Sequence, residues 1–570
     1  MQLVCHNTTG PMARFFFHIP ILLSMLLAPA LGVSANQGDL SKPNILLIVV
    51  DDMGFSDLGA FGGDIPTPNL DQLARAGTRF SDFQVMPACS LTRAALFSGA
   101  DPHKVGFGSL EEEIAPSQRD SAAYQGHLPA DLQTLPRLLQ GAGYRTLMAG
   151  KWHLGFADGR GPKHFGFDQS FAMLSGGASH FVDAIPAYAT DETAIAPYAE
   201  NDQLLTALPS DFIYSSQFYV DQLLRYMATS TSQKPDANTP FFAYLSFTAP
   251  HWPLQAPDAA IAAFESRYDE GYEVLRRRRF EQMKAEAVIP VTAALRELPG
   301  FVPKWSSLTP AQQQREARAM AVYAGMIAEI DAHIGRLITS LKASGDFDNT
   351  LIVFFSDNGA EGHDLDQTWP AELFPDIRAQ IDKRFDHSTA NMGRPGSYTL
   401  YGPGWADAAA PHLRLFKAFP SEGGTRVAAF AHWPGHISKG IFDQTLSVKD
   451  VFSTVLAAAN IKPPADLKPE PEGFSFLLSL INNPDSEVRE RVLGVEFLNK
   501  KGLRRGHWKL LHLPPPYGTD SFELFNLSHD LAEQHDVAAE HPQVFAEMKA
   551  LYAQYSAENG VIEPDWVSGY

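Results

Sequence analysis

The chain reads as an α/β protein, with a large mixed, mostly parallel sheet flanked by helices and a smaller C-terminal α+β subdomain. Three observations predict this. Strand-like and helix-like segments alternate through most of the sequence, the pattern of a parallel sheet covered by its crossovers. The clearest strand candidate, Ile45–Val50, is an unbroken aliphatic run, as suits a strand buried on both faces. The segment Lys462–Glu472 holds four prolines among charged residues and separates the alternation from shorter strand candidates.

The elements follow in order. Thr67-Pro68 supplies an N-cap and a proline at the first helical position; Leu70, Leu73 and Ala74 share a face, and Gly77 ends the helix. Thr134, Pro136, Leu138, Leu139 and Gly141 repeat that pattern. Tyr144–Ala149, Phe241–Phe247 and Leu351–Phe355 are further strands, and Met320–Leu341 is a long amphipathic helix. After the proline-rich segment come short strands at Leu493–Phe497 and Trp508–His512, then a helix from about Pro542 to Tyr555. The expected division is a catalytic domain over 36–460 and an α+β subdomain over 461–570. The basic run Arg276–Arg279 reads as a solvated helix face, with a lid over an anionic substrate as the sharper alternative.

At the N-terminus, Arg14 precedes an apolar run from Phe15 to Leu31, and Val33-Ser34-Ala35 offers small residues for cleavage. That layout predicts a signal peptide over 1–35 and a periplasmic or secreted protein. His18 and Pro20 interrupt the run and speak against an uncleaved anchor. No later stretch is long and apolar enough to span a bilayer, so no stable membrane association is expected. The formal net charge of −20 argues against nucleic acid as a partner. An anionic substrate would need cations gathered locally.

Each core strand candidate is followed by reactive residues. The first runs into Asp51-Asp52, the strand ending at Ala149 into Lys151-Trp152-His153, the strand ending at Phe247 into His251, and the strand ending at Phe355 into Asp357-Asn358-Gly359. Ligands of open α/β sheets bind beyond the carboxyl ends of strands. Asp51, Asp52, Asp357 and Asn358 are oxygen donors suited to Ca2+ or Mg2+. Turn chemistry explains either pair alone; both pairs together favour a metal. Arg93, Lys151, His153, His251 and Lys417 supply the local positive charge. Of the two cysteines, Cys5 lies in the signal segment, leaving Cys89 as the one thiol of the exported chain. It stands before or at a helix start, where an anion is favoured and a thiol pKa is depressed. These facts fit a cysteine nucleophile as well as a modified residue.

The ordered motifs resemble those of sulfatases of the alkaline-phosphatase superfamily, closest in pattern to bacterial arylsulfatases. The resemblance runs from about Lys42 to about Ala538. It includes Pro43-Asn44-Ile45 leading into Asp51-Asp52-Met53-Gly54, Cys89 to Gly99 with Asp101-Pro102-His103, and Gly150 to Gly155. It continues through Ala249-Pro250-His251, Ser356 to Gly359, Tyr401 to Trp405, Lys417 with Glu422-Gly423-Gly424, and Glu523 to Leu527. It implies an alkaline-phosphatase-like fold and a sulfuric ester hydrolase that cleaves a sulfate monoester to an alcohol or phenol plus sulfate. Cys89 would be oxidised to formylglycine by the formylglycine-generating enzyme and hydrated to a gem-diol. One hydroxyl attacks sulfur; the other then expels sulfate. Asp51, Asp52, Asp357 and Asn358 would hold Ca2+. Arg93 would orient the diol, Lys151, His251 and Lys417 would clamp the sulfate and help protonate the leaving oxygen, and His153 would be the base for sulfate release. Leu91 stands where the family usually has Pro or Ala, and Ser98 where Thr is usual.

Two other readings share these residues: a phosphonate monoester or phosphodiester hydrolase on the same scaffold, and a non-catalytic binder of sulfated glycans with Cys89 unmodified. Specificity is expected in the segments 100–135, 155–240 and 255–315, where Phe165, Phe181 and Tyr188 are candidates for an aryl or steroid pocket or for ordinary packing. The Tyr401–Trp405 segment leans, by resemblance, toward aryl sulfates.

Overall fold

The computed structural model describes residues 42–156, 159–188, 191, 193–228, 239–481 and 491–566. The signal peptide read in residues 1–35 lies outside them. From Lys42 onward the described residues form one compact unit. No helix among them is long and apolar enough to cross a membrane.

Among the described residues the main sheet has eleven strands. In chain order these are β1 (Asn44–Val50), β2 (Thr78–Gln84), β3 (Arg145–Lys151), β4 (Gln169–Met173), β5 (Tyr198–Glu200), β6 (Gln203–Leu204), β7 (Phe241–Ser246), β8 (Thr350–Ser356), β9 (Arg426–His432), β10 (Gly440–Phe442) and β11 (Leu446–Ser447). They lie in the order β10-β2-β9-β8-β1-β7-β3-β4-β5-β6, with β11 beside β2. The central strands β8-β1-β7-β3-β4 are all parallel. β9 runs antiparallel to both β8 and β2, and β5 and β6 close the opposite edge antiparallel. The sheet is thus mixed with a parallel centre, as the alternation predicts.

β1 shows why its sequence is uniformly aliphatic. Leu46, Ile48 and Val50 point into one core with the helix Pro310–Ser344. Ile45, Leu47 and Val49 point into the other, with the helices Cys89–Ser98 and Val448–Ala458. Both faces are covered, so the run Ile45–Val50 is apolar at every position. The helix Pro310–Ser344 is longer than its apolar stripe. Thr309 caps it through the Gln312 N–H, Pro310 takes the first position, and Gly345 at φ 82° ends it. Its first turns are polar, which hid them from a pattern of buried residues.

Beyond the proline-rich segment a second, antiparallel sheet forms from β12 (Val492–Phe497), β13 (Lys500–Arg505), β14 (Trp508–His512) and β15 (Phe522–Asn526). The helix Pro542–Asn559 packs Met548 and Tyr552 against Leu503, Leu510 and Leu524 of this sheet. Buried ion pairs join it to the main sheet: Arg504 reaches Asp82 of β2 at 2.6 Å, and Lys509 reaches Glu422 at 2.9 Å.

The basic run is not a solvated face. The helix Tyr272–Ala285 turns Arg276 and Arg279 inward, 6% and 0% exposed, because residues three apart share a face. Arg279 pairs with Asp57 at 2.6 Å and Asp64 at 2.8 Å, and Arg276 with Asp407 at 2.6 Å. Arg277 is exposed.

Candidate active site

The register of the central strands gathers the polar residues. Val50 lies opposite Ser356, so Asp51-Asp52 and Asp357-Asn358 leave the sheet side by side. β3 ends at Lys151, beside β7, whose following loop brings in His251. The helix Cys89–Ser98 starts at Cys89 and places Arg93 one turn in. Lys417 enters from the segment before β9, its N–H bonded to the Ala360 carbonyl at 2.9 Å. All ten residues singled out in the sequence, Asp51, Asp52, Cys89, Arg93, Lys151, His153, His251, Asp357, Asn358 and Lys417, are at most 6% exposed.

Ion pairs make that burial tolerable. Lys151 Nζ donates to Asp51 Oδ2 at 2.6 Å. Lys417 Nζ reaches Asp52 Oδ2 at 3.0 Å and Glu361 Oε2 at 3.2 Å. Arg93 donates through Nε and Nη2 to Asp357 Oδ2, at 3.1 and 2.7 Å, and through Nη1 to the Lys151 carbonyl at 2.9 Å. Every donor of that guanidinium is committed to holding strand ends together.

The donor chemistry fits a hard cation. Asp51, Asp52 and His251 each offer a ligand atom within 4.8 Å of one another, as do Asp51, Cys89 and Asp357. Asp51 Oδ1 and Asn358 Oδ1 are buried acceptors with no hydrogen-bond partner. Such atoms cost about 1–3 kcal/mol each unless something satisfies them. Burial, and then the Asp357 carboxylate, push Asp51 well above the usual carboxylate range; burial likewise pushes Asp52 up to about 6, against the pull of Lys417. A divalent cation would satisfy both orphaned oxygens and relieve both carboxylates. Asn358 Nδ2 already donates to Asp52 Oδ1 at 2.7 Å, which turns its carbonyl oxygen toward the cluster.

Cys89 Sγ lies 3.3 Å from His153 Nδ1. Burial pushes this thiol up, and Lys151 and Lys417 do not offset it. The depression expected from a helix start is therefore overturned: desolvation outweighs the cations. Burial, joined by Lys417 and Lys151, lowers His251 well below its ordinary value. Its Nδ1 contacts the Trp252 carbonyl at 2.6 Å, so Nδ1 carries the proton and Nε2 is the bare nitrogen facing Asp52 Oδ2 at 3.7 Å.

The chain is similar to known proteins over most of its length. The sulfatase family profile matches residues 43–461. The chain belongs to the sulfatase family. It is 38% identical over 452 residues to an arylsulfatase of Klebsiella aerogenes, covering 79% of this chain and 92% of that one. It is 36% identical over 543 residues to an uncharacterised sulfatase of Schizosaccharomyces pombe, covering 92% and 95%. The crystal structure of Ps i-CgsB superposes with a TM-score of 0.62 at 26% identity, covering 92% of this chain and 95% of that one. The fold is that of the alkaline-phosphatase superfamily, and the protein is an enzyme that hydrolyses sulfate esters.

In this sulfatase the cleft above Cys89 has walls that, Tyr188 apart, sequence reasoning missed. Glu112, Tyr188, Trp252 and Trp369 line it together with His153, His251 and Lys417. Tyr188 stands 5.5 Å from Trp369 and 6.3 Å from Trp252, ring to ring. Of the three aromatic candidates, Tyr188 alone lines this cleft. Phe165 packs on Trp152 in the core, and Phe181 packs on Tyr214. The Tyr401–Trp405 segment is also core: Tyr401 stacks on Tyr323, and Trp405 packs among Tyr268, Tyr272 and Trp305. Glu361, four residues after Asp357 in the same loop, was missed as well. Glu112, Trp252 and Trp369 come from segments without a pattern.

Proposed function

We propose that this sulfatase hydrolyses aryl sulfate monoesters to a phenol and sulfate, with Cys89 matured to formylglycine and a hard divalent cation, Ca2+ or Mg2+, held by Asp51, Asp52, Asp357 and Asn358. The observation that carries the reading is the cleft itself. Its floor is Cys89 against His153, and its wall is Tyr188, Trp252 and Trp369. Among the described residues lining it, Lys417 is the one Lys or Arg. One permanent cation suits a single sulfate on a flat apolar alcohol. A polyanionic glycan would need several.

When bound, the cation would polarise a sulfate oxygen, and the aldehyde hydrate would supply the attacking hydroxyl. The chain's own residues do the rest. Arg93, locked on Asp357, orients the side chain at position 89. Lys151 and Lys417 hold the sulfate oxygens and carry protons for the leaving oxygen; His251, whose Nε2 is bare in the free protein, joins them only once that nitrogen has taken a proton. His153, neutral because burial lowers its pKa, accepts the proton that accompanies sulfate release. An unmodified Cys89, its thiol pushed up by burial, is a poor nucleophile, which supports modification over thiolate chemistry.

The catalytic part spans 36–460 with a C-terminal subdomain over 461–570, and the signal in 1–35 exports the protein to the periplasm or beyond. Its maturation partner is a formylglycine-generating enzyme that accepts Leu91. The test is the mass of the tryptic peptide Phe80–Arg93 from the native host, with parallel rates on 4-nitrophenyl sulfate and bis(4-nitrophenyl) phosphate. Aldehyde or hydrate at position 89 and a preference for the sulfate are expected. A thiol throughout, or a preference for the phosphodiester, overturns the reading.

A further inference from the structure

Glu112 sits on a short helical turn, Glu111–Glu113, between the Cys89 helix and β3. Its Oε1 accepts from the Tyr188 hydroxyl at 3.0 Å, and its Oε2 faces His153 Nε2 at 3.8 Å. Across the same ring, Nδ1 meets Cys89 Sγ at 3.3 Å. Gly176 permits this approach. A Cβ there would fall 2.3 Å from the Tyr188 hydroxyl oxygen and 2.8 Å from His153 Cε1.

We propose that Glu112, held by Tyr188, is a positioning residue for His153 and keeps its Nδ1 open to accept a proton from the side chain at position 89. The proposal rests on the reading of His153 as the base. A neutral imidazole carries one N–H, and a carboxylate only accepts. A carboxylate on the Nε2 side therefore selects the Nε2–H tautomer and leaves Nδ1 as the acceptor. The Cys89 sulfur marks the place of a hydroxyl in the matured residue. In the proton step the O–H bond there breaks and the Nδ1–H bond forms. The imidazolium that results needs a counter-charge. Lys151, Arg93 and His251 oppose it, while Glu112 and Glu111 favour it. Glu112 is the carboxylate that faces the ring's far side, 3.8 Å from Nε2.

The test is a double-mutant cycle on the full-length matured enzyme: wild type, Glu112→Gln, His153→Ala and the double variant. Each is assayed on 4-nitrophenyl sulfate, with formylglycine content measured by the mass of Phe80–Arg93. Glu112→Gln is expected to lower kcat about 10- to 100-fold with KM within about twofold. The acid limb of its pH–rate profile should move to lower pH, because the imidazolium has lost a stabilising charge. In the His153→Ala background the same change should be silent. Tyr188→Phe keeps the ring and loses the hydrogen bond, and should give a smaller loss in the same direction. If His153→Ala is crippled while Glu112→Gln turns over at the wild-type rate, or if the two losses multiply, the proposal is overturned and the base assignment stands. If His153→Ala itself turns over normally, both fall.

Discussion

Replacing Arg279 by alanine tests whether the basic run of the helix Tyr272–Ala285 is structural. The guanidinium is 0% exposed and lies 2.6 Å from Asp57 and 2.8 Å from Asp64. A solvated pair would be worth about 0.2–1 kcal/mol. Removing one member of a buried pair costs about 3–5 kcal/mol, because the partner is left charged and desolvated. Asp57 loses its ion-pair partner while Asp64 keeps Arg267 at 3.2 Å, so about 3–5 kcal/mol is expected for Arg279→Ala. The exposed Arg277→Ala control should stay within about 0.5 kcal/mol. Burial pushes Asp57 up, and Arg279 is the largest influence holding it down; the same guanidinium keeps Asp64 below its usual range. Without Arg279, Asp64 keeps Arg267, while Asp57, already above its ordinary value, rises further. Such a group stabilises the fold only at low pH, and that contribution is lost as pH rises through the folded pKa. The deficit should therefore be larger near pH 8 than near pH 5. Paired urea unfolding curves at the two pH values measure it. Equal stability of the Arg279 and Arg277 variants would refute the reasoning and restore a solvated face. Turnover should fall as well, since Asp57 Oδ2 accepts the Gly54 N–H at 2.8 Å and so fixes the turn that follows Asp51-Asp52.

Three further outcomes follow from the geometry. Gly176→Ala drives a methyl to 2.3 Å from the Tyr188 hydroxyl oxygen; kcat should fall about tenfold or more while stability drops by no more than about 1–3 kcal/mol, and an unchanged kcat would contradict the close approach. His103, 2.9 Å from Asp101 and 3.8 Å from Glu496, is raised to about 9 against its burial; its stabilisation is complete below the unfolded value near 6.5 and is lost as pH rises through about 9, so His103→Gln should abolish a decline in stability on the order of 3 kcal/mol seen in wild type over that window. Incubation with EGTA or EDTA should lower both the thermal midpoint and the turnover, with Ca2+ or Mg2+ restoring both, whereas an Asp357→Asn variant should show no such rise in midpoint.

The parallel centre of the sheet was legible because strands buried on both faces are apolar through their middles, as β1 is over Ile45–Val50, β7 over Phe241–Leu245 and β8 over Leu351–Phe355. The residues that end those strands were legible for the same reason: a polar pair after an apolar run marks the edge where ligands bind. β2 and β9 were not. β2 carries a half-buried Arg79 and a buried Asp82, which are tolerated only because Glu286 and Arg504 reach them from far along the chain. β9 is rich in alanine, which favours helix when tertiary pairing is unseen. The cleft wall failed differently. Glu112, Tyr188 and Trp369 meet over Cys89 through loops, and no period in the sequence reports a loop's path.

The buried charges also explain how so acidic a chain can take an anion. On the proposed reading the sulfate meets Lys151 and Lys417, with Arg93 behind position 89, and each of these three cations already faces a carboxylate: Asp51 for Lys151, Asp52 with Glu361 for Lys417, and Asp357 for Arg93. Four carboxylates face three cations, so the side chains alone give a site that is close to neutral and slightly negative. A divalent cation on Asp51, Asp52, Asp357 and Asn358 would reverse that sign. Sulfate affinity and cation affinity must then be coupled, and the coupling is reciprocal: each ligand tightens the other by the same factor. Lys151 and Lys417 thus have two tasks that compete. They neutralise the carboxylates in the free protein, and they turn toward the sulfate when a stronger charge takes over those oxygens. This is why a lysine, a flexible point charge, suits both positions, whereas Arg93, whose planar fork is fixed on Asp357, suits the position that must not move.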